Sequence, residues 1–172
     1  MNYDLIVIGS GPGGYVAAVR AAQAGMKTAV VERENLGGIC LNWGCIPTKA
    51  LLKSAQVLNY MNHAANYGVM AQPAEADMAA MVQRSRGVAE TMSKGVQFLM
   101  KKNNIDVIMG TGRVMPEHKV EVTDAEGNKT VYEAPHIIIA TGARSRVLPN
   151  LPQDGKHIIG YREAMTYPTK PN

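Results

Sequence analysis

Tyr3-Asp4-Leu5-Ile6-Val7-Ile8-Gly9-Ser10-Gly11-Pro12-Gly13-Gly14 stands near the start of the chain. Tyr3 to Gly9 reads as a buried parallel strand: a short, β-branched, apolar run ended by glycine. Gly9, Gly11 and Gly14 fit G-x-G-x-x-G. Gly14 to Ala24 reads as a helix of small residues, closed by Gly25 at its C-cap. Lys27 to Glu32 predicts a second strand, and it ends in an acid. This is a dinucleotide fingerprint in the strand–turn–helix–strand setting that it requires. The glycines let backbone approach a pyrophosphate at the helix N-terminus, and Glu32 is placed to accept hydrogen bonds from ribose hydroxyls. A bare G-x-G-x-x-G is often only a tight turn; the two strands and the acid in register favour the nucleotide. The fingerprint alone does not separate FAD from NAD.

Beyond it lies Gly37-Gly38-Ile39-Cys40-Leu41-Asn42-Trp43-Gly44-Cys45-Ile46-Pro47-Thr48-Lys49, which holds both cysteines of the chain. Pro47 suits the first turn of a helix, and Leu51, Leu52, Ala55, Leu58 and Met61 continue at helical spacing. Cys45 is thus expected at or just before a helix N-terminus, where unpaired N–H groups and the helix dipole favour a thiolate. Cys40 is expected in the preceding loop, within reach of a disulfide to Cys45. One stabilised thiolate with one exchange partner is what a dithiol/disulfide centre needs. Three other readings stand beside it: a structural disulfide, a zinc site, and two unrelated core thiols. Zinc wants four ligands, and His63, His118, His136 and His157 are scattered, with no metal spacing among them.

The helix from Thr48 is expected to reach roughly Ala65. A second long helix is read from about Asp77 to Lys102, with a Met-rich stripe that is usually core. Ile105 to Met109 reads as a third parallel strand, placed next to the first by the right-handed crossover rule. Arg113 to Met115, Lys119 to Thr123 and Lys129 to Tyr132 read as an antiparallel β-meander. His136 to Ala140 reads as a fourth buried parallel strand, followed by Thr141-Gly142. After Ala143 the chain turns Pro-rich, with a strand-like His157-Ile158-Ile159 and a short segment at Arg162–Met165.

The 172 residues suffice for one domain with a core. Net charge is +4 and dispersed, and there is one Phe and one Trp. Nucleic-acid binding would want a concentrated basic face with aromatics, so it is not expected. No run reaches a membrane span. The first strand begins at Tyr3, leaving no room for a targeting peptide, so the expectation is a cytoplasmic protein without a membrane partner.

The cysteine segment resembles the active-site segment of the pyridine-nucleotide-disulfide oxidoreductases. Leu41-Asn42-Trp43 between the cysteines and Ile46-Pro47-Thr48-Lys49-Ala50-Leu51-Leu52 after them most resemble the branch that oxidises dihydrolipoamide. The resemblance implies an α/β fold: a Rossmann-like FAD-binding domain, a parallel sheet with flanking helices and an inserted antiparallel β-meander. It implies bound FAD, contacted by Gly9, Ser10, Gly11, Pro12, Gly13, Gly14, Glu32, Arg33, Gly38, Ile39, Cys40, Gly44, Cys45, Lys49, Gly112, Ala140, Thr141 and Gly142. It implies a catalytic Cys40–Cys45 disulfide: a dihydrolipoyl thiolate attacks Cys40, Cys45 leaves as a thiolate facing the flavin, and electrons pass through FAD to NAD+. Lys49 is implied near the flavin N5 side, Gly112 at the adenine, and Trp43 beside the disulfide or in plain core. Implied partners are dihydrolipoyl groups of oxoacid dehydrogenase or glycine-cleavage complexes, within a homodimer. No metal is implied.

The family is several hundred residues long, so the chain reads as its N-terminal part. Residues 1–143 read as the FAD-binding domain and 144–172 as a connector toward an NAD-binding domain that is not in the sequence. The family's acid/base His–Glu pair matches none of the four histidines. Two alternatives remain: a related flavin disulfide or mercuric reductase, and a non-catalytic FAD-binding piece.

Overall fold

The computed structural model describes residues 2–170. The first strand is β1 (Leu5–Ile8), all four residues buried. Helix α1 (Pro12–Gln23) follows, then β2 (Thr28–Glu32), also fully buried. Two helices come next, α2 (Gly38–Trp43) and α3 (Cys45–Asn62), then a 3-10 turn at Ala64–Tyr67. The long helix α4 (Met78–Lys102) leads to β3 (Asp106–Met109). Strands β4 (Thr111–Met115), β5 (Lys119–Thr123) and β6 (Lys129–Glu133) precede β7 (His136–Ile139), and α5 (Tyr161–Thr166) comes last. Among the described residues no helix is long and apolar enough to cross a membrane.

The backbone divides into two compact units. One runs up to Asn42 and resumes over Thr91–Arg144; the other holds Trp43–Glu90 and the chain from Ser145 on.

In the first unit the parallel sheet has the order β3-β2-β1-β7, and β4-β5-β6 form an antiparallel sheet. Alternation sends Ile6 and Ile8 to one face of β1 and Leu5 and Val7 to the other. The first face joins Tyr3, Ala29 and Val31 to Val120 and Val122 of β5, so the meander covers that side of the sheet. The second face meets α1, whose Ala18 is fully buried.

The predicted α/β fold with an inserted meander is therefore present, with three corrections. β3 pairs with β2 rather than with β1. The other edge of β1 is taken by β7, which arrives after the meander and pairs from Leu5↔His136 to Ile8↔Ile139. β3 and β7 are not fully buried strands: as edges they leave Met109 51% and Ile139 66% exposed. His157-Ile158-Ile159 is not a strand, because Asp154 Oδ1 accepts the N–H groups of Lys156, His157 and Ile158 and curls the chain into a turn.

Helices α3 and α4 obey local signals. α3 ends at Asn62, short of the expected Ala65, and Gly68 closes the following turn at φ +69°. Asp77 caps α4, its Oδ1 accepting the Ala80 N–H at 2.9 Å.

Tyr3 ties the two edges of β2's neighbourhood together. Its hydroxyl donates to Asp106 Oδ2 at 2.9 Å. Burial, then the Asp106 carboxylate, push its pKa up from 10.0 to about 12. The neutral form is the one the fold prefers, so this contribution to stability is whole below pH 10 and is lost as pH rises through about 12. Denaturant unfolding across that window should show a fall in stability that Tyr3→Phe abolishes; an unchanged alkaline profile in the variant would refute the assignment.

Candidate functional site

The C-terminal ends of parallel strands are where open α/β sheets bind ligands. Here β1 ends at Ile8 and the chain turns at Gly9, φ +99°, a conformation that favours glycine. A Cβ on Gly9 would lie 2.3 Å from the Ala140 carbonyl oxygen, so the turn after β7 lies directly against the fingerprint. A Cβ on Gly14 would lie 1.9 Å from the Gly9 carbonyl oxygen, so the first turn of α1 packs on the end of β1. Gly11 and Gly13 differ: a Cβ there would meet nothing within 4 Å. The helix starts at Pro12 with no side chain capping it. Its first turn thus offers backbone N–H groups and the positive end of a twelve-residue dipole on an open face. That is the cradle a pyrophosphate takes.

Glu32, at the end of β2, is 9% exposed. Its Oε2 accepts the Ser10 N–H at 3.0 Å and the Ser10 hydroxyl at 2.5 Å; its Oε1 accepts the N–H groups of Arg33 and Glu34 at 2.8 and 3.0 Å. Four donors match the four lone-pair sites of a carboxylate. Glu32 is therefore first a brace between the fingerprint and β2, and a ribose hydroxyl there would share or displace one of these donors. Ser10, fully buried, also accepts the Gly37 N–H at its Oγ (3.2 Å) and at its carbonyl (3.1 Å).

That bond fixes the start of the cysteine segment. A Cβ on Gly38 would lie 2.7 Å from Gly11 Cα, so Gly38 rests on the fingerprint loop. Asn42 closes the turn, its amide donating to the carbonyls of Leu36 (3.1 Å) and Gly38 (2.9 Å). Ser93 Oγ donates to the same Leu36 carbonyl at 2.8 Å. Gly112, in β4, lies over Ile8 and Val31, where a Cβ would meet their side chains at 3.1 and 3.2 Å. Ala140, Thr141 and Gly142 follow β7, the last two exposed. The first unit thus brings Gly9, Ser10, Gly11, Gly14, Glu32, Gly38 and Ala140 together at the C-terminal end of β1, with Gly112 over Ile8 and Val31 beside them.

Both cysteines are disulfide-bonded, and the chain has only two. Cys40 is not in a loop but inside α2, half-buried. Glycine at position 44 separates α2 from α3, so Cys45 is the first residue of α3 and is exposed. Gly44, Cys45 and Lys49 belong to the second unit. Lys49 stands one turn after Cys45, on the same helical face.

The sequence did not reveal the surroundings of Trp43. The guanidinium carbons of Arg86 and Arg162 lie 4.3 and 4.9 Å from its ring centroid. Burial lowers the Arg86 pKa. The Trp43 indole N–H is buried and meets no acceptor among the described residues. No spacing rule links positions so far apart. Among the described residues no cluster of three or more His, Cys, Asp or Glu could hold a metal.

Residues 3–169 match the pyridine nucleotide-disulphide oxidoreductase family. A dihydrolipoyl dehydrogenase of Zymomonas mobilis is 51% identical over 99% of this chain and 36% of its own length. One of Rhizobium etli is 51% identical over 95% and 37%. The crystal structure of LpdA from Mycobacterium tuberculosis superposes with a TM-score of 0.87 at 26% identity, covering 96% of this chain and 37% of that one. The chain spans about a third of the length of the curated relatives it matches. With the fingerprint, the meander and the bonded cysteine pair all in place, it belongs to the pyridine nucleotide-disulphide oxidoreductases.

Proposed function

We propose that this chain is the FAD-binding, disulfide-bearing part of a dihydrolipoyl dehydrogenase, acting in the cytoplasm as a homodimer on lipoyl groups of oxoacid dehydrogenase or glycine-cleavage complexes. The observation that carries the reading is the disulfide of Cys40 and Cys45, with Cys45 opening an eighteen-residue helix.

The residues fit FAD. The uncapped start of α1 and the open faces of Gly11 and Gly13 take the pyrophosphate. Glu32 would hold the ribose, Gly112 would face the adenine, and Ala140-Thr141-Gly142 would face the sugar and pyrophosphate. FAD held there would supply two-electron redox chemistry next to the cysteine pair, with NAD+ as the acceptor in the whole protein.

The chain's own chemistry is thiol–disulfide exchange. A substrate thiolate attacks Cys40 Sγ, the Cys40–Cys45 bond breaks, and Cys45 leaves as a thiolate. The second substrate thiol then attacks the mixed disulfide at the substrate sulfur, closing the lipoyl disulfide and releasing Cys40 as a thiol. The positive end of the α3 dipole and the Lys49 ammonium favour the Cys45 thiolate. The open surface of Cys45 and the partial burial of Cys40 give the two sulfurs different surroundings.

In the whole protein, Cys45→Ser should cut dihydrolipoamide-dependent reduction of NAD+ by at least about a thousandfold while FAD stays bound. Undiminished turnover would defeat the redox assignment. Ser10→Ala removes the hydroxyl that links Glu32 to Gly37 and should cost about 1–3 kcal/mol of stability. Flavin retention on gel filtration should fall with it; a variant as stable and as yellow as wild type would show that the brace does not serve the cofactor loop.

A further inference from the structure

Helix α4 carries two buried serines, and their hydroxyls are used differently. Ser85 Oγ donates to the Val82 carbonyl at 2.8 Å, three residues back in the same helix, the local bond that a helical serine ordinarily makes. Ser93, 7% exposed, reaches outside α4 and donates to the Leu36 carbonyl at 2.8 Å. Leu36 is buried too, and it opens the turn that leads into α2. The same carbonyl accepts the Asn42 amide at 3.1 Å, and that amide also donates to the Gly38 carbonyl at 2.9 Å. Leu36 and Asn42 are thereby joined across the segment that holds Cys40, and Ser93 ties the join to the long helix. Gly37 and Gly38 stand at φ +97° and +61°, which lets the chain reverse there. A Cβ on Gly37 would fall 2.6 Å from the Leu41 side chain, so the turn closes tightly on the residue after Cys40.

We propose that Ser93 is a positioning residue for Cys40: through the Leu36 carbonyl it keeps the turn, and Cys40 with it, in place while the disulfide is open. The inference rests on the redox reading above. In the opening step a dithiol loses two electrons and two protons and becomes a disulfide. The Cys40–Cys45 bond takes the electron pair and breaks; Cys40 ends as a thiol with one proton, Cys45 as a thiolate, and the other proton goes to solvent. In the oxidised protein the sulfur–sulfur bond itself restrains Cys40. In the reduced protein only the hydrogen bonds of the turn do, and they set the effective concentration of one sulfur at the other when the bond re-forms. Loss of the Ser93 hydroxyl therefore frees Cys40 more in the reduced state than in the oxidised one. The reduced state gains the conformational entropy, and the disulfide becomes easier to open.

The test equilibrates the whole protein in mixtures of reduced and oxidised dithiothreitol, with acid quenching, alkylation and peptide mass spectrometry to count the reduced pair. This readout does not depend on turnover. Ser93→Ala should be half-reduced at a roughly threefold lower dithiol ratio than wild type, and Ser93→Thr, which keeps the hydroxyl, should return toward the wild-type ratio. Ser85→Ala is the comparison: it also removes a buried hydroxyl from α4, so it should lower the melting temperature and leave the ratio unchanged. A wild-type ratio in Ser93→Ala, or an equal shift in Ser85→Ala, overturns this inference and leaves the redox reading intact. A wild-type pair that dithiol does not reduce overturns both. Hydrogen exchange on the wild-type protein decides the matter if Ser93→Ala does not fold. The amides of residues 38–42 should stay protected after reduction; loss of that protection would show that the disulfide, and not Ser93, holds the turn.

Discussion

The Glu32 carboxylate is the constraint on which the first unit depends. An ionised group taken out of water costs several kcal/mol unless its oxygens are satisfied, and here four donors satisfy them. Two are amides of the turn that follows β2, and two belong to Ser10 in the fingerprint. The same Ser10 holds Gly37 by its hydroxyl and its carbonyl. One acid therefore fixes the end of β2, the loop after β1 and the entry to the cysteine segment. The close approaches around Gly9, Gly14 and Gly38 make that convergence possible, since a Cβ at any of them would fall within 2.7 Å of backbone.

The cysteine segment inherits this placement. Leu36 offers one carbonyl to both Asn42 and Ser93. Asn42 closes the turn over Gly38, so α2 is pinned at both ends and Cys40 with it. Cys45 begins a new helix and is exposed at its first position. A five-residue step in sequence thus separates a cysteine inside a helix whose ends are tied by side-chain hydrogen bonds from one that opens the next helix. Exchange chemistry needs that asymmetry, because one sulfur must receive the attack and the other must leave.

What the sequence made legible was local. The fingerprint, the acid after β2, the meander and the long helix from Asp77 rest on spacings within one or two elements, and all are present. Errors arose where a partner lies far along the chain. The crossover rule gives handedness, but it does not say which edge of β1 stays open for β7; the sheet order β3-β2-β1-β7 puts β3 outside β2. Apolar composition did not distinguish edge strands from central ones, because burial depends on what pairs on each side. At Cys40 the signals of the two helices ran together, and only Gly44 marks the break. At His157–Ile159 an aspartate three residues earlier outweighed β propensity by taking three backbone N–H groups. The candidate site was read almost wholly from motif, whereas the environment of Trp43, built from residues 43, 86 and 162, left no trace in any spacing.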